Sequence, residues 1–546
     1  MLSLWLGAVV TVALPQAHDA FGPIKDLLLV WGLVLAIPLC GGALAGGMGA
    51  GRRTHAPCPP APWIWALILP AVWIWIVPAQ TFAGPDRHTA EAVRLTALIA
   101  SAGVAALLSG AAYRRAMLLV WVGIGWIEAS TVLLQAAGLD PFLLWTGARG
   151  TWRVYGTVGN PNLAAALLVP LCFLAQSPEL VRRRRLRLAS AAFLGLAVIA
   201  TGSRAGAAVL ALGLLVQLLI PRADRTDVPI LRGAMRLLAP LGIVGGAFLV
   251  AAVMGKGLGS VGGRWTFWRA ATQLIARRPL SGYGLGHFQA VYPQGAAYLA
   301  LPDGAPLALP ANAHNDWLEY AVELGVIPSL LILAIGVWAA RTAWSQGRFP
   351  IALSLSALVL QGGWDSSLHA TPVALLFFMM LGAVPAPSAR SERWRKASVV
   401  GLAVAVTTAS ILVLSGSALL HDRLRGHLAA GGATWAAHVG EWGQATDLWQ
   451  EARELAPGDG VFSYWLSQGL AARGDLDGAL HEARRARTTY ARFHLYLLQA
   501  QLEYHGGNEH EAIAILQWLL TGFPQYHRAR TILTRYEAEM AAARDD

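Results

Sequence analysis

The chain has 546 residues, of which 55% are hydrophobic and 13% charged, and its mean hydropathy is +0.49. Soluble domains carry roughly 25% charged residues, so this composition excludes an ordinary soluble globule and predicts a polytopic, all-α membrane helical bundle. The net charge of +11 is unevenly divided: twelve basic side chains face sixteen acidic ones from His421 onward, and thirty face fifteen before it. The basic excess therefore belongs to the short loops of the membrane part and not to a nucleic-acid surface.

The opening MLSLWLGAVVTVALP lacks a basic leader and reads as a first span, not a cleaved signal. About thirteen apolar runs follow one another, at 2–15, 24–46, 62–79, 90–110, 114–136, 159–176, 186–201, 204–221, 236–255, 315–340, 349–365, 369–386 and 398–420. Basic clusters fall on every second connection: Arg52 and Arg53, Arg114 and Arg115, Arg182 to Arg185, Arg222 to Arg236, Arg341 and Arg348, and Arg390 to Lys396. The positive-inside rule makes these loops cytoplasmic, the N-terminus included. An odd number of spans then puts everything after Leu420 on the outer side of the membrane. The expected organisation is a membrane domain over 1–420, with a large outer loop at 256–313, and an exported domain over 421–546.

The exported segment repeats itself. GEWGQA (440–445), GDLDGA (474–479) and GNEHEA (507–512) recur at a period close to that of tetratricopeptide repeats, with helix-length stretches between them. A C-terminal TPR-like α-solenoid is expected, with Gly at each helix–helix turn and Ala where paired helices cross closely. Cys40, Cys58 and Cys172 are scattered and suggest neither a disulfide framework nor a metal cluster.

Polar motifs collect on the outer connections: GTVGNPN (156–162), TGSRAG (201–206), GGRWTFWR (262–269), GYGLGHF (282–288), AHND (313–316) and WDSSLH (364–369). Packing devices would be spread over both faces, so this clustering points to an outward-facing site. Arg204 sits between two apolar runs, where its guanidinium either snorkels to the interface or meets a phosphate or carboxylate. Arg264 lies beside Trp265 and Trp268 and has the same two readings, ligand contact or aromatic stacking. Asn312, or Asp316 with Glu319, can cap the incoming helix, which leaves His314 as a candidate general base near a helix N-terminus. Asp365 opens another outer turn, either as a cap for the span after His369 or as a partner for a histidine or arginine. The glycine runs shape loops and let backbone approach a bulky ligand. GYGLG lacks a surrounding βαβ unit and is not a dinucleotide fingerprint.

In this order, and with ELG nine residues after His314, the motifs resemble those of the O-antigen ligase and polymerase superfamily of bacterial membrane glycosyltransferases, over roughly residues 150 to 385. The resemblance implies transfer of a glycan from an undecaprenyl diphosphate carrier to an acceptor hydroxyl on the periplasmic side, with no cofactor and no metal. It matches Arg204 and Arg264 to the positions that bind the diphosphate, His314 to the essential histidine and Asp365 to the carboxylate that follows it. Asn160, His287 and Asn315 are further candidates to line the site. The repeat tail lies outside the resemblance, so the acceptor is a lipid, a growing polysaccharide or a protein, and the tail is a candidate docking surface for a protein partner. A lipid or anion transporter and a repeat scaffold of a polysaccharide export system are the competing readings.

Overall fold

A computed structural model describes residues 2–34, 61–76, 85–108, 111–142, 154–219, 259–299, 308–384 and 392–545, and all its regular elements are helices. Helices are named below by their first residue. Among the described residues, four are long and apolar enough to cross a bilayer: Asp86–Leu107, Tyr113–Ala136, Val326–Ser345 and Ser398–Ser415. Five shorter apolar stretches accompany them, at Pro62–Ile76, Pro161–Leu174, Arg204–Leu218, Phe349–Gly362 and Thr371–Ala383. The expected span at 236–255 lies outside the described residues, as do Cys40, Cys58 and most of the 24–46 run.

Helices suit this solvent because each satisfies its own backbone polar groups where no water is available. The Asp86–Leu107 segment is enclosed by its neighbours, whereas Leu119, Trp126, Ile127 and Leu134, with Val404 and Ile411, stand exposed on the outside of the bundle. Such exposed apolar side chains are stable only against lipid.

Two ends of the bundle are defined by side-chain contacts. At one, Arg114 Nε donates to Glu179 Oε2 at 3.1 Å and Arg348 Nη1 to Glu179 Oε1 at 3.2 Å. Three connections that the charge pattern groups together therefore meet. Glu179 follows the Pro161–Leu174 helix and Arg348 precedes Phe349–Gly362, so these packed helices run antiparallel. Gly362 then lies at the level where the Pro161 helix begins. The Arg204–Leu219 helix starts there too, since a Cβ on Gly206 would stand 2.6 Å from Ala165 Cβ. The break between the 186–201 and 204–221 runs falls at Thr201–Ser203, as expected.

The described part of the 256–313 segment, expected as an outer loop, is not irregular. It holds the helices Gly259–Arg277 and Phe288–Leu299, and these share one apolar core with the tail, in which Tyr292 and Ala296 pack with Leu516, Leu519 and Phe523. The tail itself is a succession of antiparallel neighbours: Ser417–His438 with Trp442–Leu455, Gly460–Ala472 with Leu476–Ala486, and Phe493–His505 with Glu509–Gly522, followed by His527–Asp545. Gly440, Gly474 and Gly507 occupy equivalent turns, with φ of 89°, 85° and 80°, a region that costs an L-residue about 1 kcal/mol or more. Ala445, Ala479 and Ala512 are fully buried at the helix crossings. Ala479→Leu is expected to lose about 1–3 kcal/mol by overpacking, measured as a lower Tm and faster proteolysis of the tail.

Candidate functional site

The stretch Ala311 to Asp316 is held from several sides. Trp268 Nε1 donates to Ala313 O at 3.1 Å, and Ala313 N donates to Glu319 Oε2 at 2.8 Å. Asn315, not Asn312 or Asp316, caps the Asp316–Leu324 helix, its Oδ1 accepting from Leu318 N at 3.1 Å while its Nδ2 donates to Gly363 O at 2.9 Å. Between these clamps His314 has φ of 52°, and no other described non-glycine residue has a positive φ. A left-handed residue costs about 1 kcal/mol or more and persists only when its surroundings over-determine it. Here that conformation turns the imidazole toward the 363–370 turn and lays it over Phe267, ring centroids 6.1 Å apart.

Asp365 stands across from it. His314 Nδ1 is 3.0 Å from Asp365 Oδ1, and Arg264 reaches the same carboxylate, Nη2 to Oδ2, at 3.8 Å. Arg264 Nη1 also donates to Trp364 O at 2.8 Å, which fixes the guanidinium over the turn. Three side chains separated by up to 101 positions in sequence thus share one polar cluster, with His314 the most exposed of them. Asp365 is not the helix cap considered above, because Thr371–Ala383 is preceded by Ala370.

Burial by itself raises a carboxyl pKa, yet the Asp365 carboxyl lies below its ordinary value because the His314 hydrogen bond and the charges of His314 and Arg264 outweigh that desolvation. A depressed folded-state pKa contributes stability that is present above the ordinary value of about 4 and is lost as pH falls through the folded one. The stability difference between wild type and Asp365→Asn is therefore expected to be flat from about pH 8 to 5 and to shrink only below about pH 4. Thermal unfolding at stepped pH measures it; a difference already gone at pH 6 would contradict the assignment.

The acids stacked at the start of the Asp316 helix wire this site together. Glu319 Oε2 accepts from Ser366 Oγ at 2.6 Å as well as from Ala313 N, so one carboxylate ties the His314 strand to the Asp365 turn. Asp316 accepts from Leu368 N, Ser367 Oγ and His369 Nδ1 at 2.9 to 3.1 Å. Sequence reading considered Asp316 and Glu319 only as caps. Their burial, at 0% and 2% exposure, was the missing information.

The remaining candidates separate. Arg204 opens its helix, half-buried, at the bundle end where Gly362 leads into the Asp365 turn. Asn160 caps the Pro161 helix, accepting from Asn162 N at 2.8 Å. His287 is 1% exposed, with Nδ1 2.7 Å from Leu285 O, and belongs to the packing under the loop. Two of the motif glycines serve close packing. Gly282 lies so close that a Cβ would stand 2.4 Å from Glu323 O, and Tyr283 N and Gly284 N donate to Val322 O and Glu323 O at 2.9 Å. Gly156 is pressed on Glu128 in the same way, a Cβ there falling 1.9 Å from Oε1.

The helical bundle thus gathers a histidine, a carboxylate and an arginine at one end, a grouping of titratable and charged side chains that marks a candidate functional site. Residues 189–334, roughly a quarter of the chain, match the O-antigen ligase family model, which supports the O-antigen ligase/polymerase superfamily and a bacterial membrane protein of polysaccharide biosynthesis. The matched span contains Arg204, Arg264 and His314, and Asp365 lies beyond it. No curated protein matches the chain. Of eight solved chains that match, one comes from a crystal structure of the APC/C hetero-tetramer Cut9-Hcn1, 11% identical over 94% of this chain and 90% of its own. Its TM-score of 0.21 is too low to carry an argument.

Proposed function

We propose that the chain is a glycosyltransferase that moves a glycan from an undecaprenyl diphosphate carrier to an acceptor hydroxyl at the periplasmic face of the inner membrane. The observation that carries this reading is the His314–Asp365–Arg264 cluster, with contacts of 3.0 and 3.8 Å, at the bundle end opposite the Arg114–Glu179–Arg348 network. That basic end is the cytoplasmic one in this reading.

The acceptor oxygen attacks the anomeric carbon while the bond from that carbon to the diphosphate oxygen breaks, its electron pair leaving with the diphosphate. His314 Nε2 takes the acceptor's proton. Asp365 accepts the hydrogen bond from His314 Nδ1, which holds the tautomer with its lone pair on Nε2 and offsets the imidazolium that forms. Arg264 and Arg204 offset the charge that grows on the leaving diphosphate. The tail, read as a tetratricopeptide-like domain from 421 onward, carries its docking face alongside the helices of the 256–313 loop and presents the acceptor or a partner protein to the His314–Asp365–Arg264 cluster.

Reconstitution of the full chain in liposomes with an undecaprenyl-diphosphate-linked oligosaccharide and lipid, polysaccharide or protein acceptors tests the proposal. The expected result is consumption of the donor and a glycosylated product identified by mass spectrometry. Translocation of the donor without consumption would support the transporter reading instead.

A further inference from the structure

Behind the His314–Asp365 pair lies a cavity of about 470 Å³ between the membrane helices and the tail. Arg87, Asp459 and Tyr490 line one side of it, and Glu319, Glu323 and His369 the other. His369 Nε2 is 3.5 Å from Glu319 Oε1 and 3.7 Å from Glu323 Oε2, and the three donor atoms lie within 4.8 Å of one another. The separations exceed those of ordinary hydrogen bonds, whose mode is near 2.9 Å. They are close to what one ion imposes: two ligands each about 2.1 Å from a tetrahedral centre stand about 3.4 Å apart.

Independent observations point the same way. His369 Nε2 and Glu323 Oε2 are both buried without a hydrogen-bond partner, and Glu323 is 2% exposed. Asp316 fixes the other ring nitrogen: its carboxylate already accepts from Leu368 N and Ser367 Oγ, so at 2.9 Å it takes the proton of His369 Nδ1 as well. With that proton held by Asp316, Nε2 either carries a second proton, so that an imidazolium lies between the two carboxylates, or turns its lone pair to a metal cation set among them. A carboxylate holding the distal N–H of a histidine is the usual outer-shell support of a metal ligand. Tyr320 stacks on the His369 ring at 4.6 Å, and Asn312 Nδ2 donates to Glu319 Oε1 at 2.9 Å, so the ring and one of the two carboxylates are oriented in advance.

We infer that Glu319, Glu323 and His369 form a binding site for one divalent transition-metal ion, Zn²⁺ or Mn²⁺ by their nitrogen and oxygen donors, with water from the cavity completing the coordination. Glu319 and Glu323 are one turn apart on the Asp316 helix, and His369 closes the turn that begins at Asp365. The ion therefore pins the Asp365 turn to the helix that follows His314 and forms the floor on which the tail is seated. Its role is architectural, and it departs from the expectation, implied by the resemblance, that the chain holds no metal.

The test uses the full-length protein in detergent micelles, stripped with a chelator and titrated with ZnCl₂ or MnCl₂, with no glycan substrate present. Bound metal is counted by elemental mass spectrometry after gel filtration, and Tm is followed in parallel. One ion per chain, a Tm that falls on chelation and returns on titration, and affinity at least about 10- to 100-fold weaker in Glu323→Gln and His369→Gln are the expected results. Wild-type protein that retains no ion and whose Tm ignores both chelator and metal would overturn the inference, leaving an imidazolium between the carboxylates. Binding of unchanged affinity in both variants would overturn it equally. The wild-type titration decides the question even if a variant fails to fold, and its outcome is independent of whether glycan transfer occurs.

Discussion

His314→Ala is expected to lower glycan transfer by about 10²- to 10⁴-fold, the usual contribution of a positioned general base, while the protein still inserts and folds, with a Tm lowered only by the loss of the His314–Asp365 contact. The loss falls on the chemistry because His314 is the exposed member of its cluster and contributes little to the core. Its left-handed backbone is already held by the clamps on either side, and alanine, which also carries a Cβ, adds only modest strain there. Asp365→Asn leaves the contact distance open but removes the charge that offsets imidazolium, and a smaller loss is expected, concentrated in kcat. Arg204→Ala is expected to abolish transfer as well, chiefly through kcat, because the charge it offsets grows as the diphosphate leaves. Single-turnover assays on reconstituted protein separate these cases. Full transfer in His314→Ala would remove the general-base assignment, and if deleting residues 421–546 then abolished transfer the scaffold reading would stand.

The second large effect is expected at Asp459→Ala. Asp459 is a buried residue of the tail, and it accepts from Arg423 Nε at 2.8 Å, lies 3.2 Å from His427 Nε2 and pairs with Arg87 of the Pro85–Leu107 membrane helix. Arg423 reaches on to Glu91 at 3.4 Å and Asp26 at 3.7 Å. Removing the shared carboxylate leaves buried guanidiniums without their main counter-charge, a change that typically costs about 3–5 kcal/mol. The tail should then undock, exposing the Leu455–Gly460 segment to protease and speeding hydrogen exchange in the Phe288–Leu299 helix that packs on it. Burial opposes ionisation of Asp459, but Arg423 and Arg87 dominate and hold its carboxyl well below the ordinary range. The junction accordingly keeps its full strength at neutral pH and weakens only as pH falls below about 4 toward that lowered value. An Asp459→Ala protein with wild-type protease resistance would show that the tail is held by its apolar contacts alone.

The helical, membrane-embedded class was legible from composition, because hydropathy and charge spacing are one-dimensional properties that survive without a fold. The repeat was legible for a related reason. Gly440, Gly474 and Gly507 recur at a fixed spacing, and each sits in a left-handed turn that favours glycine. His314, Asp365 and Arg264 could be named as candidates because charged and titratable residues beside apolar runs are costly wherever they occur. Their order also resembled a known motif set.

Other features were invisible at that level. That Gly282 and Gly156 press closely on Glu323 and Glu128 follows from approaches that only the folded chain shows. That the outer loop folds into two helices and shares its core with the tail depends on apolar faces separated by some 200 residues, and pattern within either segment does not say which face it meets. The sequence by itself determined which residues had to leave lipid and at which end of the bundle they would emerge, because charge and hydropathy act on each segment separately. Only the tertiary structure decided which of them meet, since the 3.0 Å contact of His314 with Asp365 and the clamps of Glu319 join segments that no local rule connects.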